Sequence, residues 1–427
     1  MKKSIAVLLC SAAASLLAAD PPGNAFALMR DARAAYDRGD KAAFLRDYQE
    51  AARLRPGDVW ILYNLACAQA INGEAAAAIV TLRDFASHRV VADLDADKDF
   101  DSIRRTEGYQ EVVARMRALE QERITSGATV AFTIPEKEVA PEGVAYDPVT
   151  KSFFVASVRQ GKVFRIRPDG KISVFVPPGG GLRSALGMGI DARRRTLWVA
   201  NETIPAMNGA REGDPPDSGL FEFDLDTGKL RKIHRPPASK EPPYFDDLTV
   251  GADGRVYVND GRSPRIYTLD PDRGELEVFL ETDAMRGTQG LAVTPDGRTL
   301  YASDYGGLYR IDVASKGIAP LTVPPDMTLS GVDGLAYAGP GRLVAIQNGV
   351  RPHRVLLLDL APDGVNVAKA RIVEMNHPAF DEPTLGTVVD GVLYFSANNQ
   401  GHRYFDAKNP PKPEDLQDAV ILRVNLR

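Results

Sequence analysis

Cysteine is nearly missing from this 427-residue chain, which has two, Cys10 and Cys67, and histidine is sparse at five. Both lie in the amino-terminal part of the chain and give no disulfide framework, and the chain lacks the Cys/His clusters that structural zinc needs. An excess of basic charge is missing too. The formal net charge is −5, so nothing marks a phosphate-binding surface for nucleic acid. Past the amino terminus no apolar run approaches the ~20 residues of a membrane span. No Gly-x-Ser-x-Gly elbow occurs, and the histidines are too scattered to suggest a Ser-His-Asp set. What the first residues do carry is Lys2 and Lys3 followed by "IAVLLCSAAASLLAA", the pattern of a secretory signal over residues 1–19, with cleavage after Ala19 or, less favoured, Ala27. Cys10 would leave with it, and Cys67 would remain alone. The expectation is an exported protein, periplasmic or secreted.

Two periods divide the remainder. Over residues 24–122 apolar residues recur at three and four, the helical spacing. "NAFALMRDARAAYDRGDKAAFLRDYQEAARLRP" breaks at Gly39-Asp40, and "DVWILYNLACAQAINGEAAAAIVTLRDFA" at Asn72-Gly73. Each reads as a helix hairpin of about one ~34-residue repeat unit. "YNLACAQAINGEAAAAIVTL" with the following "DADKDFDSIRRTEGYQEVV" resembles the closing segment of bacterial tetratricopeptide arrays. Ala66, Ala70 and Ala78 would let the helices approach closely, and Trp60 and Tyr63 read as core. This region is either a stabilising appendage or a module that docks a protein partner. Asp93, Asp95, Asp97 and Asp99 do not make an EF-hand, because the loop has neither the Gly nor the terminal Glu that it needs.

From residue 128 the period is two. Short β-branched and aromatic runs alternate with Asp-Gly, Pro-Asp-Gly and Gly-Gly turns. One hairpin, "TQGLAVTPDGRTLYASD", returns in altered form along the chain and gives six anchors: Gly143, Gly187, Asp247, Gly290, Gly334 and Thr384. Each anchor opens one strand. A second ends about a dozen residues on, in "SFFVAS", "TLWVAN", "RVYVND", "TLYASD", "RLVAIQN" and "VLYFSAN", and two more usually follow. Four-stranded units repeated about every 45 residues predict a six-bladed β-propeller over residues 128–427. The fold class is therefore mainly β, a six-bladed propeller preceded by an α-helical tetratricopeptide-like domain. The sixth unit runs out one strand short. "ATVAFTI", residues 128–134, is available to complete it and close the ring.

Strand direction puts the residue before each anchor on one face, around the mouth of the axial channel. Those residues are Glu142, Leu186, Asp246, Gln289, Asp333 and Pro383. Three carboxylates and an amide in equivalent slots suggest a hard divalent cation: Ca²⁺ first, with Mg²⁺, Mn²⁺ or Zn²⁺ as further candidates. Turn and solvent roles are the alternative. The ends of the second strands, Asn201, Asp260 and Asp304, and Arg183 in "PPGGGLRS" lie by the same mouth and are candidate substrate contacts; hairpin chemistry would serve the first three as well. Long loops in the second and sixth blades, "NETIPAMNGAREGDPPDSG" and "NNQGHRYFDAKNPPKPEDLQ", overhang it. His402, in the latter, reads as a surface residue.

The propeller resembles the gluconolactonase/regucalcin-like family, with paraoxonases as more distant relatives. The resemblance matches Glu142 in "PEGVAYD" to the family's metal-binding Glu, Gln289 in "QGL" to its Asn in "NGL", and Asp333 in "VDGLAYA" to its metal-binding Asp. Asp246 in "FDDLTVGADGR" matches the Asn that lies beside the metal. Gln for Asn lengthens one arm by a methylene, and Asp for Asn adds charge. The resemblance implies an exported metal-dependent hydrolase that opens a small-molecule lactone or related ester, with Asp333 or Asp246 taking the proton of water. The alternative is a non-catalytic propeller that binds a small ligand or a protein.

Overall fold

A computed structural model describes residues 24–205, 207–210, 213–404 and 411–427. The signal segment expected over residues 1–19 lies outside the described residues. Among the described residues, no helix is long and apolar enough to cross a membrane. The chain divides into two compact units.

The first unit is helical. Helices α1 (Ala25–Asp37) and α2 (Lys41–Leu54), then α3 (Val59–Ile71) and α4 (Ala75–Ser87), form two hairpins, followed by α5 (Glu107–Gln121). The breaks fall at Gly39 and Gly73, each at positive φ. Asp40, Asp58 and Thr106 accept backbone N–H groups of the first turns of α2, α3 and α5, satisfying donors that a helix start leaves open. Ala66, Ala70 and Ala78 are buried, as their size suggested, but Trp60 is 37% exposed and not core. The aspartates after α4 are occupied locally: Asp93 and Asp97 cap short turns, while Tyr63 Oη donates to Asp97 and Tyr36 Oη to Asp99. The unit also takes in residues 325–330 and 350–352.

The second unit is the propeller. Its blades are six antiparallel sheets whose innermost strands are Pro141–Asp147, Ser184–Asp191, Phe245–Val250, Leu291–Val293, Val332–Tyr337 and Gly386–Val389. The strand Thr129–Ile134 pairs antiparallel with the last strand, Ala419–Asn425, so the first strand of the unit completes the sixth blade. This closure leaves no open ring edge. The fifth blade has a fifth strand that periodicity did not reveal, Ile124–Thr125 on the outer edge. It is anchored by the buried Glu374, whose Oε1 accepts from Ser126 N and Ala128 N.

The recurring anchor glycines have one packing cause. A Cβ at Gly143, Gly187, Gly290 or Gly334 would lie 2.4–2.6 Å from backbone of the next blade's inner strand, closer than any side chain tolerates. The two anchors that are not glycine use their side chains across the same gap. Asp247 accepts from Leu291 N at 3.0 Å, and Thr384 Oγ1 donates to Pro141 O at 3.4 Å. The repeats agree at the anchor because the inner strands crowd there. The position before it escapes that crowding and is free to vary.

Candidate functional site

Each slot residue stands at the start of an inner strand, and in four blades the strand is irregular just there. The register between the first two strands shifts between Pro141 and Val144, Ala185 and Met188, Phe245 and Leu248, and Val332 and Gly334. A bulge sets two residues against one and re-aims a side chain. Glu142, Leu186, Asp246 and Asp333 all fall inside these bulges. An axial channel of about 250 Å³ runs from the anchors along Val144, Met188, Leu248, Leu291, Leu335 and Leu385 toward the opposite face. The slot residues stand at its other end.

The carboxylates there act on one another. Burial pushes Glu142 well above the usual carboxylate range, and the charges of Asp333 and then Asp246 add to it. Burial does the same to Asp333, followed by Asp246 and Asp247, against a lowering bond from Asn348. Asp246 is pushed up to about 6 by burial and the neighbouring Glu202. Asp247 is pushed up to about 8 by burial, despite the N–H groups of Leu291 and Leu248. Charges that are both desolvated and mutually repelling favour a proton or a cation. The charge of Asp333 reaches Glu142, and that of Asp246 reaches both.

Polar side chains fix this rim. Asn348 Nδ2 donates to Asp333 Oδ2 at 2.5 Å. Asn399 Nδ2 donates to Glu142 Oε2 and to Pro141 O. Asn259, fully buried, accepts from Asp246 N and Asp247 N and donates to Thr288 O and Gln289 O. The periodicity argument passed over these three asparagines, and Glu202 with them, and took Asp247 only as an anchor. Their signal was present, because "VND", "IQN" and "ANN" all close second strands facing the bulges.

Gln289 sits by the same rim and turns its Nε2 toward its neighbour's carbonyl, Thr288 O, at 3.2 Å. The candidate substrate contacts divide. Asn201 accepts from Arg183 N and donates to Asp217 O. Asp260 accepts from Tyr244 N, Arg262 N and Ser263 Oγ. Asp304 accepts from Gly306 N, Gly307 N and Tyr309 Oη. All three side chains are buried and engaged in turn chemistry, the alternative role foreseen for them. Arg183 is exposed.

Oxygen-only donors under mutual repulsion fit a hard divalent cation. Among the described residues, the oxygens of Glu142, Asp246 and Asp333 do not all lie within 4.8 Å of one another. Cys67, Asp97 and Asp99, in the helical unit, do meet that spacing. Burial holds the Cys67 thiol protonated, well above its ordinary value, and the aspartates accept from tyrosines, so that group is explained without an ion.

Residues 141–350 match the family model described as SMP-30/Gluconolactonase/LRE-like region. The matched stretch takes in Glu142, Asp246, Gln289 and Asp333, the residues on which the sequence resemblance was drawn. No curated protein matches the chain. Among solved structures, a gluconolactonase of Xanthomonas campestris is 17% identical, covering 69% of this chain and 89% of its own, with a TM-score of 0.48. Regucalcin of Agrobacterium tumefaciens, described as a calcium-binding protein, is 15% identical over 70% of this chain and 94% of its own, with a TM-score of 0.47. The PQQ-bound aldose sugar dehydrogenase of Streptomyces coelicolor is 14% identical over 70% and 97%, with a TM-score of 0.49. Likenesses this distant, to proteins of such different chemistry, carry no activity to this chain.

Proposed function

We propose that the propeller is a divalent-cation-dependent hydrolase that opens a lactone or related ester. The observation that carries this reading is the crowding of Glu142, Asp246 and Asp333 at one rim, each pushed above its ordinary range by burial. Glu142, Asp246, Gln289 and Asp333 would hold the ion, with Ca²⁺ the first candidate. When bound, it would supply a Lewis acid for the carbonyl and the developing oxyanion. The chain's own groups do the rest. Asp333, one oxygen held by Asn348, or Asp246 takes a proton from the attacking water at a carboxylate oxygen. Asn399 fixes the direction of Glu142. Arg183, exposed at the edge, is available to a substrate. Export by residues 1–19 belongs to the same proposal and is checked by the amino-terminal sequence of the protein recovered from the periplasm or the medium.

The test is a panel of lactones assayed with Ca²⁺, Mg²⁺, Mn²⁺ and Zn²⁺ and with chelator. Turnover that needs a cation and is lost in Asp333→Ala is expected. No turnover under any condition, or turnover indifferent to Asp333→Ala, refutes the reading.

A further inference from the structure

The sixth blade offers Pro383 in the slot that carries carboxylates elsewhere, yet a carboxylate stands one residue earlier. Glu382 adopts a left-handed backbone at φ 70°, uncommon for a residue with a side chain. Its neighbours hold it there. Asn399 N donates to Glu382 O at 3.0 Å, and the same Asn399 holds Glu142 through its side chain. Gly401 lets the two segments close: a Cβ there would stand 2.7 Å from Asn399 Oδ1 and 3.1 Å from Glu382 Oε2. Glu382 is close enough to the rim for its charge to act on both Glu142 and Asp333.

Glu382 is not a bare charge. Its Oε2 accepts from His402 N at 2.9 Å and faces His402 Nδ1 at 3.4 Å. The other ring nitrogen, Nε2, faces Asp381 Oδ1 at 3.5 Å. Arg403 occupies the second oxygen of Asp381 at 2.7 Å. The imidazole is therefore flanked by a carboxylate at each nitrogen, with 54% of its side chain open to solvent. Separate hydrogen bonds join the Asn399 side chain to Glu142, Asn399 N to Glu382 O, and the Glu382 carboxylate to His402.

We propose that His402 is a catalytic residue, the proton donor to the leaving oxygen in ester or lactone cleavage, positioned by Glu382 and Asp381; this rests on the hydrolase reading above. The step balances. Water gives one proton to Asp333 or Asp246 as its oxygen bonds to the carbonyl carbon. The bond from that carbon to the ring or alkoxy oxygen then breaks, its electron pair goes to the oxygen, and His402 Nε2–H supplies the proton. The Nδ1 proton stays on the His402 ring, donated to Glu382 Oε2. Solvent returns a proton to His402 and removes the one held by the carboxylate. The charges fit these roles. The bond from Glu382 raises His402 above its ordinary value, opposed by Arg403 and helped by Asp381. Burial raises Glu382, but the bonds from His402, with a further contribution from His353, bring it below its ordinary value.

Leaving-group dependence separates proton donation from mere bracing of the loop. A nitrophenoxide departs without a proton; an alkoxide needs one. His402→Gln in the full chain is expected to lower kcat on an aliphatic lactone by roughly 10²–10⁴ and on a nitrophenyl ester by less than about tenfold. The alkaline fall in lactone kcat/KM, where His402 loses its proton, should disappear in that variant. Independently of turnover, the NMR titration of the His402 ring should move to lower pH in Glu382→Gln. Equal losses on the two substrates, no loss on either, or a ring titration unmoved by Glu382→Gln overturns the assignment while leaving the hydrolase standing. A wild-type chain that cleaves neither ester nor lactone removes the hydrolase reading, and the assignment with it.

Discussion

Replacing Asp246 by Asn in cation-free protein should stabilise the propeller at pH 8. The carboxyl rises from 3.8 to about 6, first through burial and then through Glu202. Raising a carboxyl this far penalises its ionised form by roughly 3 kcal/mol. Asp246 is partly open to solvent at the rim, so about 1–3 kcal/mol is the expected range. Because the folded value lies above the unfolded one, the folded chain binds the extra proton between them. The penalty is absent below 3.8, grows through about 6, and is complete above it. Stability therefore falls as pH rises across that window, and Asn, neutral throughout, escapes the fall. The assay is urea unfolding with chelator at pH 4 and pH 8, followed by Trp198 fluorescence in a Trp60→Phe background. The variant should gain at pH 8 and match the parent at pH 4. Millimolar Ca²⁺ should stabilise the parent more than the variant, narrowing the gap. A variant no more stable than its parent at pH 8 in chelator would mean that Asp246 carries no such strain, and the electrostatic argument would fail.

Gly290→Ala puts a Cβ 2.4 Å from Asp333 O and 2.8 Å from Leu335 N; a loss of about 1–3 kcal/mol, with weaker cation binding through a displaced Asp333, is expected from urea unfolding and calorimetry. Ile134→Ala empties a site 1% exposed on the closing strand and should cost about 2–4 kcal/mol by the same unfolding assay. Glu142→Gln should weaken Ca²⁺ at least tenfold, about 1.4 kcal/mol, in a calorimetric titration. Cys67, 2% exposed with its thiol held protonated, should stay unlabelled by iodoacetamide in native protein and react once unfolded, read by peptide mass spectrometry.

Much of the architecture was legible because each blade repeats a turn-and-strand pattern with period two. "SFFVAS" and "TLYASD" are the strands Ser152–Ser157 and Thr299–Asp304 to the residue. Ring closure by "ATVAFTI" followed from counting strands. The candidate rim could be read from the anchors as an expectation, because equivalent slots in a repeat open equivalent strands. The supports could not. Bulges leave no period, so nothing in the pattern announced the re-aimed side chains. Asn259, Asn348 and Asn399 stand at the ends of second strands, but a period of two does not say which polar residue there turns to an inner strand. Asn201, Asp260 and Asp304 occupied the expected places, but a short polar side chain at a strand end serves the turn as readily as a ligand. Only the partners separate these roles. Glu382 escaped notice because its position depends on a left-handed backbone and on Asn399, neither of which a strand pattern encodes.

The most direct measurement is anomalous diffraction from a crystal of the full chain soaked in Mn²⁺. A single strong peak among Glu142, Asp246 and Asp333 is the predicted result. A rim without a peak, or a peak only beside Cys67, Asp97 and Asp99, would contradict the account.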